Sequence, residues 1–234
     1  MGMINVKSVS KSFGMKEVLR DINLDIEPGE FTAIVGPNGS GKSTLLRIIS
    51  TLLRPNSGQV TVAGLDLNTK AHTVRQLLGV VSHHTLLYDN LTAYENLLFY
   101  AHLYSITDYA TRINMVLDKV NLTDSKDTLV RTYSHGMQQR LSIARAILHN
   151  PRVILFDEPH TGLDQTNSII LDKILQSRSA AGNTVMLITH DIKHALALCD
   201  KIVVLHKGKV EYQERTTQIS YDEFASKYHE ITNV

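Results

Sequence analysis

The nonapeptide GPNGSGKST, Gly36 to Thr44, constrains the fold more than any other stretch of this chain. It fits G-x-x-x-x-G-K-[ST], a glycine-rich loop that surrounds phosphate groups with backbone N–H donors. Such a loop works between a buried strand and a helix. The strand fixes where the loop begins, and the helix N-terminus aims free amides and a positive dipole end at the polyanion. The flanks agree. FTAIV (Phe31 to Val35) is an apolar run of strand length, and TLLRIISTLL (Thr44 to Leu53) has helical length and ends before Arg54-Pro55. Phosphate crowds the backbone, so Gly36, Gly39 and Gly41 stand where a Cβ would obstruct approach or block positive φ. Pro37, Asn38 and Ser40 complete the loop, and Thr44 leads into the helix. Lys42 supplies charge for the β- and γ-phosphates, and Ser43 a hydroxyl for Mg²⁺.

The rest of the chain repeats the alternation. The first thirty residues (INVKSVSKSF, then VLRDINLDIEPGE) alternate apolar and polar positions with a turn at Pro28-Gly29, which predicts antiparallel strands. QVTVAG (59–64) and LGVVS (78–82) are further strands. From Leu91 the period becomes helical. Thr92 and Glu95 form a T-x-x-E capping box, and the helical block runs to about residue 132. A helix from about Ser134 to His149 then stops at Asn150-Pro151. RVILFDEP is a strand, TNSIILDKILQS a helix, NTVMLITH a strand, DIKHALALC a helix and KIVVLHKGKV a closing hairpin. The expected fold is α/β: a mostly parallel sheet with helices on both faces, an N-terminal antiparallel β subdomain and an inserted helical subdomain. It is read as a single domain over 1–234. The nucleotide-binding core takes about 1–90 and 133–212, the helical subdomain 91–132, and a short helical tail 213–234.

Composition narrows the class. A net charge of +1 gives no global argument for nucleic acid or an anionic membrane as partner. No apolar run reaches the length of about 18 residues that a membrane helix needs, and MGMINVKSVSKSF lacks the apolar core of a signal peptide. Membrane association is therefore expected through docking to another protein. The single cysteine, Cys199, excludes an internal disulfide, suits a reducing cytosol and reads as a small core residue.

Three further stations carry chemistry. VILFDE places Asp157 and Glu158 at the end of an apolar strand, where buried acids are costly unless they work. Asp157 is the expected partner of Mg²⁺, and Glu158 is placed to polarise the attacking water. Thr189-His190 ends the next strand, so His190 can reach the γ-phosphate. YSHGMQQR (133–140) opens a helix with Ser134 and Gly136 at its N-terminus, a second anion-binding helix end. One chain does not need two sites for one γ-phosphate, so this one is read as serving a nucleotide on another subunit.

In this order, GPNGSGKST, YSHGMQQR, VILFDEP, TGLD and TH resemble the ATP-binding-cassette ATPases over about residues 4 to 211. The resemblance implies a P-loop NTPase (RecA-like) core that binds ATP and Mg²⁺ and hydrolyses ATP. Lys42, Glu158 and His190 would act in catalysis. Phe13 would stack on adenine, and Gly162 to Asp164 would cross the interface of a homodimer or heterodimer closed around ATP. The implied partner is an integral membrane transporter subunit, with the chain at the cytoplasmic face. The pattern also departs from the family. Tyr133, His135 and Met137 replace usual signature residues, although Ser134 and Gly136 remain. His83 and His84 stand where a glutamine is usual. His83 is read in the glutamine's role beside Mg²⁺, with hydrolysis falling as pH drops through the imidazole range.

His83, His84, His135, His160 and His190 all fall in candidate site loops. They belong to different stations, so a dedicated metal cluster is not expected. VVSHHTLLYDNLTAYENLLFYAHLY with TYSHGMQQRLSIARAIL looks like the ATPase subunits of haem exporters in cytochrome c maturation, although drug, sodium and lipid exporters share much of it. Leu86, Leu87 and Tyr88 are either a docking surface for the membrane subunit or lobe core. The alternative class is a soluble cassette ATPase, above all one of iron–sulphur assembly. Long heptad segments and a second phosphate loop are both absent, which argues against repair and translation types.

Overall fold

A computed structural model describes residues 2–82 and 85–232. His83 and His84, and with them the proposed glutamine substitute, lie outside the described residues. In chain order the elements begin with β1 (Ile4–Phe13), β2 (Lys16–Ile26), β3 (Phe31–Val35), α1 (Lys42–Ile49), β4 (Ser57–Val62) and β5 (Leu65–Asp66). Next come α2 (Leu67–Leu77), β6 (Leu78–Val81), α3 (Ala93–Leu103), α4 (Tyr109–Lys119) and α5 (His135–Ile147). The chain continues through β7 (Val153–Asp157), α6 (Gln165–Ala180), β8 (Thr184–Ile188), α7 (Ile192–Leu198), β9 (Lys201–His206), β10 (Lys209–Arg215) and α8 (Tyr221–Thr232).

The larger sheet has the order β10-β9-β3-β8-β7-β6. Its neighbours pair in parallel from β9 through β6, and only β10 runs antiparallel, closing the expected hairpin. Every residue of β3, β7 and β8 is buried, as strands covered on both faces require. Their alternation divides the core. Phe31, Ala33 and Phe156 pack with the helical block and α5. Ile34, Leu155 and Met186 pack with α1 and the second sheet, β2-β1-β4-β5, which is antiparallel throughout. Because β3, β7 and β8 run the same way, the loops after Val35, Asp157 and Ile188 leave from one edge.

The helical block is anchored as its sequence suggests. Thr92 Oγ1 accepts from the Glu95 N–H, and the Glu95 carboxylate accepts from the Thr92 N–H, completing the capping box. Three local readings shift. α1 stops at Ile49 rather than Leu53, because Thr51 takes positive φ and the N–H groups of Leu52 and Leu53 both fold back to Arg47 O. α2 has no counterpart among the expected elements. Leu67, Ala71 and Val74 make a thin stripe at helical spacing, of which only Val74 is fully buried, and a cap from Asp66 to the Asn68 N–H starts it. β10 extends to Arg215, past the expected boundary at 212, and the tail helix α8 is fastened by the buried Phe224.

Just beyond α5, His149 lies flat on Tyr104, with ring centroids 3.8 Å apart and planes 3° apart. Its Nε2 donates to Leu78 O at 3.0 Å. Burial lowers its pKa from 6.5 to about 4. The folded state therefore binds this proton less readily than the unfolded chain, and stability is lost as pH falls from about 6.5 toward 4. The loss expected from this group between about pH 7 and about pH 4.5 is about 2 kcal/mol. Denaturant unfolding at both pH values should show His149→Gln losing less than the unmodified chain by that amount. Equal losses would mean that another group carries the acid sensitivity.

Candidate functional site

The phosphate loop joins β3 to α1, whose N-terminal residue is Lys42. Two of its glycines are required by neighbouring protein atoms. A Cβ on Gly36 would come within 2.1 Å of Leu205 O, and one on Gly41 within 2.6 Å of Leu19 Cδ2. Gly39 has open space around it but a φ of 79°, so there the backbone alone demands glycine. The crowding attributed to phosphate in the sequence thus comes, at Gly36 and Gly41, from β9 and β2.

The loop floors a cleft of about 430 Å³. Residues 38–44 line it, with Lys16 and Val18 of β2 on one side and Glu158, Thr161 and His190 on the other. Lys42 is buried, and its Nζ donates to Gly36 O at 2.6 Å and Pro37 O at 3.1 Å. Desolvation holds its pKa below the usual lysine value, against the opposing pull of Glu158 and Asp157. Ser43 Oγ donates to Asp157 Oδ1 at 3.2 Å, joining the start of α1 to the end of β7.

Glu158 follows β7 with φ of 52°, a conformation that costs a non-glycine residue roughly 1 kcal/mol and is held where the surroundings over-determine it. Here its N–H donates to Ile188 O at 3.0 Å, and its carboxylate takes a 2.7 Å hydrogen bond at Oε2 from His190 Nδ1. The carboxylate is thus gripped at the cleft edge by a largely exposed imidazole. Nδ1 is the donor in this contact, because a carboxylate oxygen can only accept. The contact between these two side chains is absent from any local sequence pattern. It follows from the parallel pairing of Asp157 with Ile188.

The four expected nucleotide contacts beyond the phosphate loop, Phe13, Ser134, Gly136 and Asp164, all lie elsewhere. Ser134, Gly136 and Asp164 do not line the cleft. Ser134 caps α5, its Oγ accepting from the Met137 N–H at 3.3 Å. Asp164 caps α6 through the Asn167 N–H at 2.8 Å, and both its oxygens accept from Asn167 Nδ2. Gly136 is packed so closely under Asn167 that a Cβ would meet Asn167 Nδ2 at 2.5 Å. Asn167, unnoticed in the sequence, thereby ties the start of α5 to Asp164. His135 Nε2 adds a 3.4 Å contact to Thr161 O. The unusual Tyr133 is buried and donates to Ser125 O, fastening this corner to the helical block.

Phe13 does not line the cleft. It ends β1 with its ring about half exposed and Lys11 Nζ 5.3 Å from its centroid. Lys16 and Val18, which do line it, were missed. Their signal was the alternation of β2 just before Leu19. His160 also stays out of the cleft lining and meets Asp172 and His194 instead.

Residues 19–161 match the family model described as ABC transporter. The chain belongs to the ABC transporter family. Among relatives of this ABC ATPase is the ABC transporter ATP-binding protein NatA of Bacillus subtilis (strain 168), 38% identical over 218 residues that cover 90% of this chain and 89% of NatA. The Nod factor export ATP-binding protein I of Rhizobium meliloti (strain 1021) is 36% identical over 207 residues, 88% of this chain and 62% of that protein. A dimeric ATP-binding cassette in a post-hydrolysis state bound to ADP and Pi superposes with a TM-score of 0.84 at 32% identity, covering 92% of this chain and 99% of that one. The ABC ATPase therefore has the P-loop NTPase fold expected of it, and it is an enzyme of the ATP-hydrolysing type. Neither relative's name mentions haem, so the narrower likeness read from the sequence gains nothing from them.

Proposed function

We propose that this ABC ATPase binds ATP with Mg²⁺ at Gly36 to Thr44, closes as a homodimer or heterodimer around it, and drives export of a small solute through a separate integral membrane subunit. The observation that carries this reading is the division of the motif residues. Lys42, Ser43, Glu158 and His190 line one cleft, with Asp157 bonded to Ser43 beside it, while Ser134, Gly136 and Asp164 are grouped outside it. The second group is pre-assembled for a nucleotide that this chain does not itself hold. A dimer in which each protomer lends Ser134 and Gly136 to the other's γ-phosphate satisfies both, and the dimeric neighbour supports it.

The residues present fit a hard divalent cation. Ser43 Oγ and Asp157 Oδ1 are oxygen donors 3.2 Å apart beside the loop that would hold the phosphates. When bound there, the ion neutralises charge on the phosphate oxygens. The chain's own contribution is positioning. Loop amides and Lys42 fix the β- and γ-phosphates. Glu158 accepts a hydrogen bond from the water that attacks the γ-phosphorus, while His190 holds the carboxylate in place. The γ-phosphorus–oxygen bond to the leaving group breaks, ADP and phosphate form, and the dimer reopens. Phe13 and Asp164 belong to this reading as adenine-stacking and interface residues.

The membrane partner is supported by a surface on the helical block. Leu86, Tyr88, Phe99 and Leu103 are exposed, and Tyr88 packs edge-on to Phe99 at 5.1 Å. Leu87 instead packs against the core, so the three candidate docking residues divide. Buried Asn96 holds this loop rigid by accepting from the Tyr88 N–H and donating to Tyr88 O. Among the described residues no helix is long and apolar enough to cross a membrane, which fits a separate membrane subunit with this chain at its cytoplasmic face. Export is supported by the name of the Nod factor relative, and haem rests on motif likeness alone. Nothing favours the soluble iron–sulphur type or a nucleic-acid partner.

Co-purification tests the proposal. Captured in detergent from its native host, the chain should bring down an integral membrane protein, and Leu86→Asp with Tyr88→Asp should reduce recovery at least about tenfold, the cost of roughly 1.4 kcal/mol. Recovery of a soluble scaffold instead, or undiminished capture by the double variant, would overturn the transport assignment.

A further inference from the structure

We propose that His160, Asp172 and His194 form a binding site for one divalent transition-metal ion, distinct from the cation position beside the phosphate loop. The three residues come from three elements. His160 lies in the segment between β7 and α6, Asp172 is on α6 and His194 is on α7. Their donor atoms nevertheless converge. His160 Nε2 and His194 Nε2 each lie 2.8 Å from the same Asp172 Oδ1, and the two nitrogens are 3.1 Å apart. The rings are set nearly edge to face, at 75° with centroids 4.5 Å apart.

A ring nitrogen carries either one hydrogen or one lone pair, so a close triangle of this kind is restrictive. Held by hydrogen bonds alone, it requires both imidazoles in the same tautomer, donating side by side to one oxygen. An ion removes that restriction, because all three atoms can present lone pairs to one point. The size also fits. With bonds of about 2.1 Å, an octahedral face has edges of about 3.0 Å and a tetrahedral face about 3.4 Å. The observed sides of 2.8, 2.8 and 3.1 Å are nearer the octahedral face. Three further positions would then be open, and partial exposure of all three side chains leaves room for water.

The donor set selects the ion. Two imidazoles and one carboxylate favour Zn²⁺, Ni²⁺, Co²⁺ or Fe²⁺ over Mg²⁺ and Ca²⁺, which prefer oxygen throughout. His160 Nδ1 has no hydrogen-bond partner among the described residues. An outer acceptor on a ligating histidine typically contributes 10- to 100-fold in affinity, so the site is placed in the micromolar range, not tighter. An ion here would pin the segment from Pro159 to Leu163 to both α6 and α7. That segment links Glu158 to Asp164, so occupancy is a means of fixing the interface loop. The binding claim itself does not depend on the ATP reading.

The experiment is calorimetric titration of Zn²⁺ and, separately, Mg²⁺ into the tag-free, chelator-treated full chain without nucleotide. One Zn²⁺ is expected to bind per chain with micromolar affinity. Mg²⁺ should produce no comparable heat, and saturating Zn²⁺ should raise the unfolding midpoint by about 5 °C. Asp172→Asn keeps the shape of the site and should weaken Zn²⁺ at least about tenfold, as should His194→Ala. His190→Ala, which breaks the other histidine–carboxylate contact, should leave Zn²⁺ affinity unchanged. Zn²⁺ binding no tighter than millimolar, or equal binding by Asp172→Asn and the unmodified chain, would overturn the proposal.

Discussion

Glu158→Gln is expected to lower ATP turnover by about 10²- to 10⁴-fold, the range lost with a general base, while ATP binding is kept. The substitution is close to isosteric. It leaves the left-handed backbone at residue 158 and the N–H bond to Ile188 O undisturbed, and an amide oxygen can still accept from His190 Nδ1. What it removes is the negative charge that polarises water. Since Lys42, Ser43 and the loop amides stay in place, ATP and the second subunit should still assemble, and the closed state should accumulate because it cannot discharge. Phosphate release and light scattering with ATP measure the two consequences separately. The expected result is a particle of doubled mass in ATP with negligible phosphate release. Turnover within about tenfold of the unmodified chain would remove Glu158 from its role. Full loss of turnover with a persistent monomer would leave Glu158 in place and count against the exchange of Ser134 and Gly136 between subunits.

The parts of this site that were legible in sequence are those whose cause is local. A phosphate loop announces itself because glycines, Lys42 and Ser43 must stand at fixed offsets. Asp157 and Glu158 are conspicuous because two acids end an apolar strand. The capping box at Thr92 and Glu95 spans three residues and needs nothing else. The fold followed from the same local periods, since strands and helices in alternation leave few arrangements other than a parallel sheet. What escaped is set by contacts between distant segments. His190 reaches Glu158 through the register of β7 on β8. Asn167 joins Gly136 to Asp164 across a turn that no pattern marks. Lys16 and Val18 enter the cleft because β2 passes beside α1, whereas Phe13 was placed at the adenine by family resemblance and not by any local contact. The histidines divided in the same way. His160 was grouped with the nucleotide loops by sequence position, but the packing of α6 and α7 draws it to Asp172 and His194. α2 was overlooked because its apolar stripe, Leu67, Ala71 and Val74, is thin and only Val74 is fully buried.

Lys42→Ala is expected to weaken ATP binding about 100-fold. An ammonium has three donors, and two of those on Lys42 are engaged by Gly36 O and Pro37 O. The remaining donor is what the β- and γ-phosphates would meet. A hydrogen bond to a charged group contributes about 1.5–3 kcal/mol, and 3 kcal/mol is somewhat over a hundredfold in affinity. Alanine removes more than that bond. It leaves two loop carbonyls without their donor, and it strips Asp157 and Glu158 of the cation that offsets their charge. Lys42→Met separates these effects, because it keeps an unbranched apolar stem in the buried channel and deletes only the charged head. Both variants should lose affinity, with Met retaining more of the thermal stability. Lys42→Arg should fail as well, because a planar fork cannot take the place of a compact ammonium in a buried position. Titration with a fluorescent ATP analogue, alongside thermal unfolding of each variant, gives the answer. If both the Ala and Met variants bind ATP within about threefold of the unmodified chain, less than the 1.4 kcal/mol of a tenfold change, the loop amides and the α1 N-terminus hold the nucleotide unaided. Lys42 would then be a brace for the loop carbonyls and not a phosphate ligand.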